Sequence, residues 1–448
     1  MFRIYKIKLF AFIFTFLLSS LISSTCLASL SQNFSVGNAK SIALGHAVTA
    51  DPPGLDSIHY NPAGLVKLDG RQRQFNFVLG SFSLEAEFGE HNDEFIETLN
   101  GLTLNGEPIY GVEDDKVRLS NSETDGAAVM LPGVGLLELP FLALLTGGMS
   151  IQLSDPGVTL ATMVYAPDAA GYTRPEDDTG RLQGSSLAIT QLAYFTPTIA
   201  FRATDELSIG ISLILTYQGL GFDLDMRSTN IFTALSDGFL QGTCLNGGND
   251  PILCENSLSP FDEVGTLNIE AENVFSPSFN IGILWEPTLW LTIGATYRHG
   301  GSTKLKGTYE YTYRETWTNF WSEFNGDGLI PLLPVGKEKD EGDVELTLIS
   351  PRHIALGTKI ALTPRLRVNL DVKWTEYSSW EKIEFEFENN LDFLNLASVF
   401  SDDADPDRLV LNQFYEDSIS YSLGLSYQWN DRLDLRVGYE DRPTAVPN

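Results

Sequence analysis

Apolar and polar residues alternate with period two along several stretches of the chain. In 207–218, Leu207, Ile209, Ile211, Leu213, Leu215 and Tyr217 share one side. Ser208, Gly210, Ser212, Thr216 and Gln218 share the other, with Ile214 the exception. In 289–298, Leu291, Ile293, Ala295 and Tyr297 oppose Thr292, Gly294, Thr296 and Arg298. In 366–374, Leu366, Val368, Leu370, Val372 and Trp374 oppose Arg367, Asn369, Asp371 and Lys373. In 419–429, Ile419, Tyr421, Leu423, Leu425, Tyr427 and Trp429 oppose Ser420, Ser422, Gly424, Ser426 and Gln428. Side chains of a strand point alternately to its two faces, so this pattern predicts strands with one apolar and one polar face.

A soluble antiparallel sheet packed on a core gives the same alternation. Three features favour a transmembrane antiparallel β-barrel. The segments are about 10 residues or longer, as a tilted crossing requires. Aromatic residues (Tyr217, Tyr297, Trp374, Tyr427, Trp429) stand at segment ends, as in interfacial girdles. Short connections at 203–206, 286–288, 363–365 and 430–432 alternate with long ones at 227–264, 314–341 and 389–412, matching periplasmic turns and external loops. The strands are expected at 73–88, 118–138, 157–166, 185–202, 206–224, 265–285, 289–312, 343–361, 366–388, 413–429 and 433–441. Pro132, Gly133 and Gly135 interrupt the second, and 139–149 is apolar without alternation: it extends a neighbouring strand, forms a missed strand or forms a short helix, and the three alternatives stay open. Eleven is odd where bacterial barrels are even-numbered, and 442–448 reads as loop, so C-terminal strands are expected to be missing.

Before the first alternating stretch the chain is irregular. Pro52, Pro53 and Pro62 remove backbone donors, Gly54 and Gly64 permit turns, and small residues crowd 37–47. Irregular backbone at membrane depth is tolerated only where protein or a wet cavity covers it. Residues 29–70 are therefore expected inside the barrel as a plug, with 71–448 forming the barrel. Residues 1–28 read as a signal peptide: Arg3, Lys6 and Lys8, an apolar run, then Cys26-Leu27-Ala28 as cleavage site. The rest of the chain has no apolar run of the roughly 20 residues of a spanning helix.

The net charge is −30, which disfavours a nucleic-acid partner and suits acidic loops around a surface pore. Cys244 and Cys254, an even pair in a secreted chain, are expected to form one loop disulfide. Neither cysteine has a nearby histidine or third cysteine, so a metal site is not expected. The five histidines show neither metal-ligand spacing nor a convincing Ser partner; His299 near Ser302 is the one weak pair, and an enzyme is not expected. The acidic stretch 402–407 lacks the spaced ligands and glycine of a calcium loop. No cofactor is implied.

Gly37-Asn38-Ala39, then Asp51, then Tyr60-Asn61-Pro62-Ala63-Gly64-Leu65 resembles the N-terminal signature of FadL-type outer-membrane transporters of long-chain fatty acids and other hydrophobic compounds. Further stretches resemble the family in the same order. They are Val164-Tyr165-Ala166-Pro167 with Gly180-Arg181-Leu182-Gln183-Gly184, then Gly282-Ile283-Leu284-Trp285, then Trp374-Thr375-Glu376-Tyr377-Ser378-Ser379-Trp380.

The resemblance implies a monomeric fourteen-stranded barrel in the bacterial outer membrane, in contact with its lipid. It implies passive uptake of a fatty acid, alkane or aromatic compound. The ligand passes from an external groove to a lumenal pocket, a plug shift opens the route, and release is sideways beside the third strand. Asp51, Tyr60, Asn61, Pro62, Ala63 and Gly64 are then the candidate gating residues.

Arg298, Arg367, Lys373 and Arg436 alternate towards the lumen, and Arg181 and Gln183 lie in the matching loop. Lumenal cations form a charge network by default, since a charge facing lipid costs a few kcal/mol at mid-membrane. Their functional reading is a pair with a fatty-acid carboxylate. Fatty-acid carriers of the family place basic residues near two strand ends. The matching positions here, Gly219 and Tyr415 or Glu416, are not basic, although Arg227 is close. A neutral hydrocarbon or aromatic ligand therefore competes with a fatty acid. The rival class is a water-filled porin or an adhesive surface barrel, which gives no reason for the Pro-rich N-terminal piece.

Overall fold

The computed structural model describes residues 36–445 except 82, 102, 105–106, 109–110, 154–156, 228–257, 260, 332, 401–403 and 413. The expected signal peptide and the Cys244–Cys254 pair lie outside the described residues. Among the described residues most strands belong to one large sheet, with three small two-stranded sheets beside it.

Some strands continue one another across a bulge or break. Joining them gives the large sheet eleven passes: Arg71–Gly80; Leu142–Gln152; Val158–Thr173; Ser186–Phe195 with Thr198–Arg202; Leu207–Arg227; Glu263–Thr288; Leu291–Arg298 with Gly301–Tyr313; Lys339–Ser350 with His353–Thr363; Leu366–Thr375 with Lys382–Phe387; Arg408–Asn412 with Ser418–Asn430; and Leu433–Asp441. Each pass pairs antiparallel with the next. Among the described residues no ladder joins Arg71–Gly80 to Leu433–Asp441, so the sheet is open along that seam.

Burial is inverted relative to a water-soluble sheet. Ile211, Leu213, Ile283, Leu356, Leu370, Val372 and Tyr421 are exposed, while Ser208, Ser212, Asn280, Thr296, Asn369, Asp371 and Ser422 are buried. An apolar outer face over a polar interior is the arrangement that lipid outside and polar contacts inside impose. Trp285, Trp290 and Trp429 are exposed at the short-turn end, as an interfacial girdle requires. At the other end the strands run beyond this band. Their inner faces join the helices Glu315–Asn325 and Asp392–Phe400 in an aromatic-rich core built on Phe222, Tyr311, Trp317, Trp321, Phe385 and Leu394. The long connections expected to be loops thus carry packed helices.

The second expected strand is corrected. Residues 118–138 are not one crossing: Ala127–Leu131 and Gly135–Leu139 pair with each other as a hairpin in a sheet of their own. The second pass is Leu142–Gln152, in the apolar stretch without clean alternation. There the outward residues Leu145 and Met149 are exposed, while Thr146 and Ser150 face inward. Tyr217 is also corrected as a girdle residue. It is 2 % exposed, donates to Glu272 (3.0 Å) and lies under that hairpin.

Candidate functional site

Residues 36–68 fold into short turns of helix held against the polar face of the sheet. Asn38 caps the helix Ala39–Ala43 by accepting from the Lys40 and Ser41 amides (2.9 and 3.1 Å). Its own amide donates to Asp56 (2.5 Å), which Gln74 on the first strand also reaches (2.7 Å). Asp51 pairs with Lys40 (2.7 Å) and with Lys359 of the wall (3.0 Å). Burial alone raises the Asp51 carboxyl, but the two ammonium groups outweigh it and hold it at about 2.

Asn61 is fully buried at the centre of this segment. Its amide donates to the Thr49 carbonyl (2.8 Å) and to the Ile283 carbonyl of the wall (3.1 Å), and its oxygen accepts from the Ala63 amide (3.1 Å). Pro62 opens the 3-10 turn Pro62–Lys67, where its missing N–H costs nothing. Ala63 is buried and Tyr60 nearly so. A Cβ on Gly64 would lie 2.3 Å from Pro52, so only glycine lets these two loops touch.

The wall answers in kind. Asn369 donates to the Ala47 carbonyl (2.8 Å), Asp371 accepts from the Thr49 amide (2.8 Å), and Asn280 donates to the carbonyls of Ile58 and His59 (3.0 and 2.8 Å). Between these polar contacts runs a belt of glycines. Gly210 faces Gly282 across one ladder, Gly294 faces Gly357 across another, and Gly424 faces Gly438 across a third. A Cβ on Gly210, Gly282, Gly294 or Gly438 would stand 2.0–2.3 Å from Pro62, Asn61, Thr49 or Leu44 respectively. The belt is a feature that reading the alternation missed. Its signal was present in the sequence: glycines at polar-face positions of six separate strands.

The candidate cations divide. Arg298 donates to His59 (3.2 Å) and lines two small cavities, one with Lys373 and His353, the other with Tyr165, Asp168 and Gln191. Lys373 is bound by Ser422 and Glu440, both at 2.9 Å. Arg436 is on the inward parity of its strand but exposed, and pairs with Asp434 (3.0 Å). Arg367 has the inward parity near the short-turn end of its strand. Arg181 is taken up by Asp225 (2.6 Å), and Arg227 by Asp115 (2.8 Å).

Gln183 belongs elsewhere, at the edge of an apolar cavity of about 300 Å³. Its walls are Leu187, Ile189, Leu220 and Phe222 on one side, and Leu348, Ile383, Phe385 and Leu411 on the other, from passes that are not neighbours in the sheet. Trp380 and Tyr415 complete it. Among the described residues Lys382 is its one cationic lining residue; it is paired to Glu384 (2.8 Å), which also binds Arg408 (3.1 Å).

The wall has a breach between its second and third passes, where Tyr165, Pro167 and Asp168 line the second small cavity. Leu142–Gln152 pairs with Val158–Thr173 only from Gln152↔Thr159 to Gly147↔Val164. Beyond Val164 the longer strand bulges between its partners Ala193 and Gln191 and contains Pro167, which has no N–H to donate. It continues to Thr173 without a ladder to Leu142–Gln152.

An outward apolar face, a polar inner face with irregular chain packed on it and an apolar cavity are the features of an outer-membrane barrel. The chain belongs to the family described as outer membrane protein transport protein (OMPP1/FadL/TodX), whose profile matches residues 19–448. Members are bacterial outer-membrane transporters of hydrophobic compounds.

Solved structures of similar fold include a Pseudomonas aeruginosa FadL homologue (17% identity, TM-score 0.61, covering 92% of this chain and 81% of that one). The Ralstonia pickettii toluene transporter TbuX is similar at 16% identity and TM-score 0.55, over 92% of this chain and 87% of that one. The Pseudomonas putida toluene transporter TodX is similar at 15% identity and TM-score 0.55, over 91% of this chain and 83% of that one. Among curated proteins none matches the chain.

Proposed function

We propose that this protein is a monomeric channel for passive uptake of hydrophobic compounds, gated by an N-terminal plug and releasing its cargo sideways into the bilayer. The observation that carries the reading is the apolar cavity of about 300 Å³ enclosed by the upper strands. Below it, residues 36–68 occupy the interior, so straight passage to the short-turn end meets packed protein. In the wall, the ladder between the second and third passes ends at Val164, next to the cavity lined by Tyr165, Pro167 and Asp168. An apolar molecule gains by leaving water for such a cavity and again by leaving the cavity for lipid. No covalent chemistry or energy source within the chain is required.

The favoured cargo is a neutral hydrocarbon or aromatic compound. A carboxylate in this cavity would find one ammonium group, Lys382, already paired with Glu384. Burying an anion without a free partner is costly.

Deleting residues 29–65 tests the gate. The expected variant still shows the heat-dependent gel shift of a folded barrel but loses selective uptake of neutral hydrophobic dyes over sugars. Selective uptake by that variant would overturn the gating role. Competition by a long-chain fatty acid stronger than by an alkane of equal length would overturn the neutral cargo.

A further inference from the structure

We propose that the Ala127–Leu131/Gly135–Leu139 hairpin is a movable door over the breach in the wall, and that cargo leaves beneath it. The proposal rests on the sideways-release reading above and adds to it the part that controls release.

The hairpin lies outside the cavity. In the ladder between Ser186–Phe195 and Leu207–Arg227, Leu187↔Phe222 and Ile189↔Leu220 face the apolar cavity, while Ala188↔Gly221 and Thr190↔Gly219 face the opposite way. The hairpin covers that opposite face. Ala128 and Met130 pack with Ala188 and Tyr217. Ala127 and Val129 pack instead with Leu142 of the strand on the far side of the breach. The hairpin therefore bridges the two edges that no ladder joins.

Its attachment differs from that of every neighbouring pass. The large sheet holds its strands by continuous ladders, but the hairpin is a separate two-stranded sheet. Two of its amides bond side chains of the wall, Met130 to Thr190 (2.9 Å) and Leu136 to Glu270 (3.2 Å). Its root is the isolated bridge Gly126↔Thr173. Its own two-stranded ladder contributes little stability by itself, so releasing it requires its side-chain packing to give but no barrel ladder to open. The surface beneath is made for a close, unlaced fit: a Cβ on Gly171 would stand 2.1 Å from the Ala128 carbonyl oxygen, and one on Gly219 2.5 Å from Met130. Ala128, Met130, Leu136, Ala188 and Leu192 give the contact an apolar lining, so lifting the hairpin opens an apolar track from the breach.

The test uses the full chain in the outer membrane of a host and the neutral dye 1-N-phenylnaphthylamine, whose fluorescence rises in the bilayer. Ala128→Cys with Ala188→Cys ties the hairpin down on oxidation; each single substitution is the control. Gln191→Trp fills the lumenal side of the breach and leaves the hairpin alone. The expected result is dye uptake at the level of host cells without the protein in the oxidised pair, recovery on reduction, and loss of uptake in Gln191→Trp under either condition. If the oxidised pair takes up dye like the wild type while Gln191→Trp does not, the door is overturned and sideways release stands. If both take up dye like the wild type, sideways release is overturned as well. The heat-dependent gel shift of each variant confirms that its barrel is folded.

Discussion

Replacing Asn61 by alanine removes the contact through which the N-terminal segment is held to itself and to the wall at once. Three hydrogen bonds go: to the Thr49 carbonyl, to the Ile283 carbonyl and from the Ala63 amide. At about 1 kcal/mol each, the loss is about 3 kcal/mol, or roughly hundredfold in the equilibrium between held and released segment. The strands keep their ladders, so the effect is local. The assay is amide hydrogen exchange by mass spectrometry on the full chain in mild detergent. Protection in 36–68 is expected to fall roughly hundredfold, while 207–218 and 366–375 stay unchanged.

Gly282→Ala attacks the same contact from the wall, because its Cβ would lie 2.0 Å from the Asn61 side-chain oxygen. Overpacking of this kind costs about 1–3 kcal/mol. In the Asn61→Ala background that oxygen is gone, so Gly282→Ala is expected to cost less there than in the wild type. Unchanged protection in Asn61→Ala, or strictly additive costs in the double variant, would refute the claim that Asn61 latches the segment to the wall.

Further outcomes are expected. The Asp51 carboxyl is held at about 2 against an ordinary 3.8, so its contribution is complete above 3.8 and disappears as the pH falls through about 2. That contribution is on the order of 2 kcal/mol. Pepsin should therefore begin to cut 36–68 as the pH falls through this window, and Asp51→Asn should be cut at the upper end of it already. Ile189→Lys aims an ammonium group into the apolar cavity and should lower dye uptake without changing the heat-dependent gel shift. Gly219→Val pushes against Met130 and should reduce exchange protection across 127–139 while leaving 36–68 protected.

Much of the architecture was legible because it is written in local period. Alternation in 207–218, 289–298, 366–374 and 419–429 assigned Ile211, Leu370 and Tyr421 to the exposed face and Ser212, Asp371 and Ser422 to the buried one, as observed. It failed at 118–149. There the Leu142–Gln152 crossing interrupts its own alternation with Gly147 and Gly148, while the hairpin before it has the apolar content of a crossing. Period identifies a strand; it does not say which sheet the strand joins.

The chain by itself determined a membrane barrel with an irregular, proline-rich N-terminal piece. Only the tertiary structure decided that Asp51 meets Lys359, that Asn61 meets Ile283, that glycines from distant strands line up beneath the segment, and that Leu220 and Phe385 face each other across one cavity. The physical reason is that outward and inward are settled residue by residue, by lipid on one side and polar contacts on the other. Contacts across the interior join positions more than a hundred residues apart, and these become neighbours only when every ladder between them has taken its register.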